Sequence, residues 1–208
     1  MKTKIIFLLI ISTILSSSCL FGQNTVSKGE YLSEIRKERA SKDREFLTAE
    51  SSPIETGKKS AFRGLNYFKP NPAYRVVAEL EVFSNPDTIK MKTTTDRLPL
   101  YLVYGKVDFT LNGKRHSLTV YQNIALMIKP GYTNYLFLPF KDLTSGEASY
   151  GGGRYVDLQT DGGKTIIIDF NRAYNPYCVY NKKYSCPIPP DGNFLETEVK
   201  AGEKDFHN

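Results

Sequence analysis

The sequence predicts a mainly β protein: one antiparallel β-barrel or sandwich-like domain with an amphipathic helix at its N-terminal end. Three observations predict it. From Tyr74 onwards apolar residues recur with a period of two, the mark of half-buried strands. Asn112-Gly113 and Asp161-Gly162-Gly163 stand between such runs, and Asn-Gly suits a type I′ hairpin turn because both central residues need positive φ. Ahead of the strands lies a charged segment opened by Ser27 and Glu30, spaced as a capping box.

Taken in order, residues 1–22 read as an export signal. Lys2 and Lys4 form a positive start, an apolar run follows over 5–15, and small residues come next. The run is shorter than the roughly 20 residues that span a bilayer. Cleavage after Gly22 leaves Gln23 first; the alternative is a lipobox ending at Cys19, which would then be lipidated. The mature chain is expected to be periplasmic or secreted, or else lipid-anchored in the envelope, with no integral membrane segment. Residues 23–50 form the helical segment, with a helix over 28–47. Tyr31, Leu32, Ile35, Phe46 and Leu47 make a thin apolar stripe among charges, so this helix lies against the domain rather than inside it. Residues 51–208 form the β domain, and the whole mature chain is one domain's worth of residues.

Within that domain Tyr74, Val76, Ala78, Leu80 and Val82 share one face of a first strand. A polar strand is expected over 88–95 after the Asn85-Pro86-Asp87 turn. Val103, Gly105, Val107, Phe109 and Leu111 then alternate up to the Asn112-Gly113 hairpin, beyond which Leu118 and Val120 resume. Further strands are expected over 124–128, 135–138, 154–158, 165–170 and 194–200. Many short strands joined by turns argue for a barrel or sandwich.

Composition excludes some functions. The precursor carries 28 Lys and Arg against 22 Asp and Glu, a net charge of +6, to which Lys2 and Lys4 contribute two. Acids and bases alternate along the chain, so there is no concentrated basic face and no nucleic-acid partner is expected. The two histidines, His116 and His207, are far apart in sequence; without a His/Cys cluster no metal and no cofactor are implied. Cys178 and Cys186 are close in sequence and, in an oxidising compartment, read as a disulfide, or otherwise as two inert thiols.

The unusual stretch runs from residue 141 to 187. Gly151, Gly152 and Gly153 precede Arg154, Tyr155 and Asp157; Asp169, Asn171, Arg172, Tyr174 and Asn175 follow. The run 62–68, Tyr74-Arg75-Val76, Gly151-Gly152-Gly153-Arg154-Tyr155, Asp169-Phe170-Asn171, Tyr174-Asn175-Pro176-Tyr177-Cys178 and Tyr184-Ser185-Cys186-Pro187 resembles the uncharacterised bacterial family catalogued as domain of unknown function 1684. The likeness covers nearly all of the mature chain, with Asn175-Pro176-Tyr177-Cys178 its most specific part. It implies a single domain and brings neither an activity nor catalytic residues.

Physically, three glycines allow close backbone approach, Arg154 offers a fork of donors suited to carboxylate or phosphate, and the tyrosines offer faces for a ring. The leading expectation is therefore a small-molecule-binding domain that takes an anionic or sugar-like ligand at these eleven residues. The internal alternative has residues 151–153 as a hairpin loop and Arg154 paired with Asp157 or Asp169. Two other functions remain in view. One is a hydrolase drawing a carboxylate pair from Asp142, Glu147, Asp157 and Asp169; the other is a structural role in the envelope.

Overall fold

In the computed structural model residues 27–206 are described. Residues 1–22, expected to be an export signal, with Cys19, and His207 lie outside the described residues. Helix α1 (Lys28–Thr48) starts where the capping box places it. Ser27 Oγ accepts from the Glu30 amide at 3.2 Å, and the Glu30 carboxylate accepts from the Ser27 amide at 2.9 Å. Its docking face is the line Tyr31, Ile35, Arg39, Lys42, Phe46, at helical spacing. Tyr31, Ile35 and Phe46 are buried, Leu32 is half-buried and Leu47 stays exposed.

The domain is one antiparallel half-barrel built from β1 (Arg75–Val82), β2 (Thr88–Lys90), β3 (Leu100–Leu111), β4 (Lys114–Asn123), β5 (Tyr135–Asp142), β6 (Arg154–Gln159), β7 (Thr165–Asp169) and β8 (Phe194–Leu195). The sheet order is β6-β5-β4-β3-β1-β7, with β2 added on β3 and β8 pairing parallel to β5. The β3–β4 hairpin turns at Asn112 and Gly113, whose φ values of +52° and +75° are those of the expected type I′ turn. β6 and β7, consecutive in sequence, sit at opposite ends of the sheet. The Asp161-Gly162-Gly163 turn thus bridges the barrel opening, and no ladder joins its flanking strands among the described residues.

Period-two alternation sends Ala78, Leu80, Val107, Phe109, Leu118, Val120, Leu136, Leu138, Val156 and Ile168 into the main core. The opposite face of the β3–β6 region carries a second, aromatic cluster of Tyr101, Tyr121, Phe137 and Tyr155 with Met91. A third cluster seats Phe46 of α1 against Ile54, Leu65, Val179 and Tyr180.

Three expected strands are corrected. Residues 124–128 form a short helix, α2 (Ile124–Met127). The run has no alternation, its Ala, Leu and Met are helix formers, and the Asn123 side chain caps it by accepting from the Leu126 amide at 3.2 Å. The strand expected over 88–95 stops at Lys90. Beyond it the chain exchanges backbone bonds with the C-terminal loop: Thr94 N–H donates to Cys186 O, and Ile188 N–H donates to Lys92 O. The strand expected over 194–200 is only Phe194–Leu195, because the backbone after it is bound by side chains. The Val199 amide donates to Asp142, and the carbonyls of Val199, Ala201 and Glu203 accept from Arg154. No helix among the described residues is long and apolar enough to cross a membrane.

Candidate functional site

The aromatic face of the sheet floors a cavity of about 440 Å³. Residues opposite one another in a ladder share a face, and the register pairs Phe137 with Asp157, Pro139 with Tyr155 and Tyr135 with Gln159. Tyr155, Asp157, Tyr135 and Phe137 therefore point to this side, while Arg154, Val156 and Leu158 point into the main core. The walls come from residues 174–187, with Tyr174, Tyr177, Tyr184 and Cys186 among them, and from Lys42 of α1. A second cavity of about 250 Å³ shares Lys42, Asp157 and Tyr174 with the first and continues beneath α1 to Asn171 and Glu203.

Asp157 is the polar centre. It is exposed, and its Oδ1 accepts from both Tyr135 and Tyr174, each at 2.7 Å. Burial raises both phenols well above their usual range, with the Asp157 charge adding to the effect, so they remain protonated donors. Two donors on one oxygen fix the carboxylate, and Asp157 lines both cavities. Tyr155 is buried and donates its hydroxyl to the Pro187 carbonyl, pinning the far wall. Lys42 lies 4.8 Å above the Tyr174 ring and 2.8 Å from the Glu203 carboxylate. Glu203 itself is 1 % exposed and also accepts from the Tyr180 hydroxyl at 2.7 Å and the Asn175 amide at 2.8 Å.

The eleven residues singled out in the sequence separate along these lines. Tyr155, Asp157 and Tyr174 line the larger cavity, and Asn171 and Arg172 line the smaller one. Arg154 lies in neither. It is 1 % exposed, donates to Asp142 Oδ2 at 2.9 Å and to the carbonyls of Val199 and Glu203 at 2.9 and 3.1 Å, and pairs with neither Asp157 nor Asp169. Strand alternation is the reason, since Arg154 is one residue out of phase with Tyr155. Desolvation draws its guanidinium below the usual range, against the pull of Asp142.

Residues 151–153 make the turn entering β6 and do not line either cavity. Gly153 has φ +91°, and a Cβ there would stand 2.7 Å from the Phe140 carbonyl. Asp169 is buried, accepting from the Tyr31 hydroxyl at 2.9 Å and from Arg172 at 2.6 Å; it fastens α1 to the barrel. Asn175 is buried against the 203–204 backbone.

Arg172 also holds Glu34 at 2.7 Å and Glu38 at 2.8 Å. Cys178 and Cys186 are adjacent free thiols, with the Cys178 amide 3.2 Å from Cys186 Sγ. The sequence reading missed Tyr101, Tyr135, Phe137, Tyr184, Lys42 and Glu203. Ladder phase with Asp157 was the available signal for Tyr135 and Phe137, and spacing from Tyr31, Ile35 and Phe46 was the signal for Lys42.

These features define a half-open antiparallel β-barrel domain with an aromatic cavity on the face opposite its main core, closed by a helix and the C-terminal loops. The chain belongs to the family of proteins of unknown function DUF1684, whose profile matches residues 60–204. It is 38% identical to the solution NMR structure of an uncharacterized protein from Haloarcula marismortui. That likeness covers 85% of this chain and 95% of the other, with a TM-score of 0.65. None of the curated proteins matches the chain.

Proposed function

We propose that this domain binds a small, neutral, polyhydroxylated molecule of the sugar-like class in the cavity centred on Asp157. The observation that carries the reading is the carboxylate oriented by two phenols at the floor of an aromatic cavity. A fixed acceptor suits hydroxyl donors, and tyrosine faces suit the apolar face of a sugar ring. The anionic ligand expected from the sequence loses its support with Arg154. The cations around the two cavities are already paired: Lys42 with Glu203, Arg172 with three carboxylates, and Arg39 with the carbonyls of Phe68 and Asn171.

The geometry also favours binding over hydrolysis. Of the four carboxylates considered for a catalytic pair, Asp142 and Asp169 are buried and held by Arg154 and Arg172. Asp157 lines the cavity without Glu147, Asp142 or Asp169 beside it.

The test is a thermal-shift screen of the mature domain against sugars, polyols, organic acids and nucleotides. A ligand at about 100 times its Kd stabilises by about 2.7 kcal/mol, a rise of roughly 5–10 °C in Tm for a chain of this size. The reading expects a sugar or polyol hit that Asp157→Asn abolishes while leaving the unliganded Tm nearly unchanged. A hit confined to organic acids, or a sugar hit indifferent to Asp157→Asn, overturns it.

A further inference from the structure

At the edge of the cavity Cys178 and Cys186, of which only Cys186 lines it, form a thiol cluster with no role assigned so far. Cys186 is buried, and its backbone is locked to the 93–94 segment: its amide donates to Thr94 Oγ1 at 3.1 Å and its carbonyl accepts from the Thr94 amide at 2.9 Å. Cys178 lies on the short helical turn Tyr177–Val179 and keeps partial exposure. Its amide donates to Cys186 Sγ at 3.2 Å, which places the two thiols side by side.

We propose that Cys178 and Cys186 are a thiol–disulfide exchange pair, with Cys178 the attacking thiol and Cys186 the resolving one. Accessibility assigns the roles, since an incoming disulfide reaches Cys178 while Cys186 lies behind it. The electrostatics agree. The Cys186 thiol donates to the Cys178 sulfur, against the opposing effect of burial, and the Thr94 and Tyr150 hydroxyls assist; together they hold Cys178 down at about 6. The same bond and burial push Cys186 up, so it stays protonated until its turn.

In the forward step the Cys178 thiolate attacks one sulfur of a disulfide R–S–S–R. This forms a mixed disulfide and expels R–S⁻, which takes up the Cys186 proton. Cys186 then attacks Cys178 Sγ, closing the intramolecular bond and releasing the second R–S⁻. Two protein thiols are oxidised by two electrons and one disulfide is reduced to two thiols. The exchange partner is thus a small or protein disulfide. Cys186, Ser185 and Tyr184 line the cavity, so the pair lies next to it, with Cys178 outside the lining.

The experiment equilibrates the folded mature chain with mixtures of reduced and oxidised glutathione and reads intact mass. The expected result is loss of two hydrogens under oxidising mixtures, reversed by reduced glutathione without denaturant. Cys186→Ser, lacking the resolving thiol, should accumulate one glutathione adduct, and Cys178→Ser should accumulate almost none. Adduct formation on Cys186→Ala, which cannot mimic the thiol's hydrogen bond, separates the role of the thiol from that of its bond. At pH 6 the wild-type mixed disulfide should form faster than with an ordinary cysteine, because Cys178, with its lowered pKa, holds more thiolate there, and the advantage should shrink as pH rises. Two thiols that stay free in oxidised glutathione overturn the proposal. So does a bridge that forms but resists reduced glutathione in the folded chain, which marks a static crosslink.

Discussion

Replacing Arg154 by Ala should unfold this domain more readily than any change in the cavity. The guanidinium is 1 % exposed, is held 2.9 Å from an equally buried Asp142 carboxylate, and binds the carbonyls of Val199, Ala201 and Glu203. Removing one partner of a buried ion pair costs about 3–5 kcal/mol because the other charge stays buried. Asp142 retains the Thr144 hydroxyl at 2.7 Å and the Val199 amide at 2.9 Å, which places the loss at the lower part of that range. Each orphaned carbonyl would add about 1–3 kcal/mol if it stayed buried, so the 199–203 segment detaches instead and takes water.

The net expectation is about 4 kcal/mol, a large part of the 5–15 kcal/mol typical of a whole domain. Urea denaturation reads it as a midpoint lower by roughly 2 M at an m-value of about 2 kcal/mol/M. Asp142→Asn should cost a similar amount, and the double variant clearly less than the sum of the two. An Arg154→Ala midpoint within about 0.5 M of the parent, or strict additivity with Asp142→Asn, would refute the clamp.

Two further outcomes follow, one from the backbone and one from the proposed export signal. Gly153 and Gly162 both have positive φ, but a Cβ on Gly153 meets the Phe140 carbonyl and Pro189 at 2.7 Å, whereas one on Gly162 meets open space. Gly162→Ala should therefore cost about 1 kcal/mol, from backbone conformation alone. Gly153→Ala should cost roughly 1–3 kcal/mol more, and equal Tm values for the two would contradict the packing account. Expression of the full sequence tests the proposed export signal: a chain beginning at Gln23 by intact mass supports it, a lipid-modified Cys19 at the terminus establishes the lipobox route instead, and an intact N-terminus refutes both.

The fold was more legible in the sequence than the site. Alternation in β1, β3, β6 and β7 and the Asn112-Gly113 turn depend on nearest neighbours, and those local signals hold in the folded chain. Residues 194–200 misled because their backbone is organised by Arg154 and Asp142, more than forty positions upstream, which no local period reveals. The 141–187 stretch that the sequence singles out supplies both scaffold residues and part of the cavity lining. Arg154 and Asp157 lie on opposite sides of one strand, Arg154 buried in the core and Asp157 exposed at the cavity. Only their phase relative to Val156 and Leu158 separates them, and the charges themselves drew attention to Arg154. Lys42 and Glu203 were invisible as a pair because they are 161 residues apart and each looks like a surface charge in its own segment.

The clamp and the cavity are one system. Arg154 holds the 199–203 backbone, and that backbone presents the buried Glu203 carboxylate. Glu203 fixes Lys42 at 2.8 Å, Lys42 lies over the Tyr174 ring, and the Tyr174 hydroxyl orients Asp157 at 2.7 Å. A buried charge of this kind is a poor source of net stability, since desolvation offsets much of the attraction. Its effect here is on geometry. The Asp157 rotamer and the surrounding rings are ordered when the chain folds, so the proposed ligand would not have to order them, which lowers the entropic cost of its binding. The same linkage predicts that lesions at Arg154, although remote from the cavity, loosen the site, because the guanidinium and Asp142 bind the 199–203 backbone that presents Glu203.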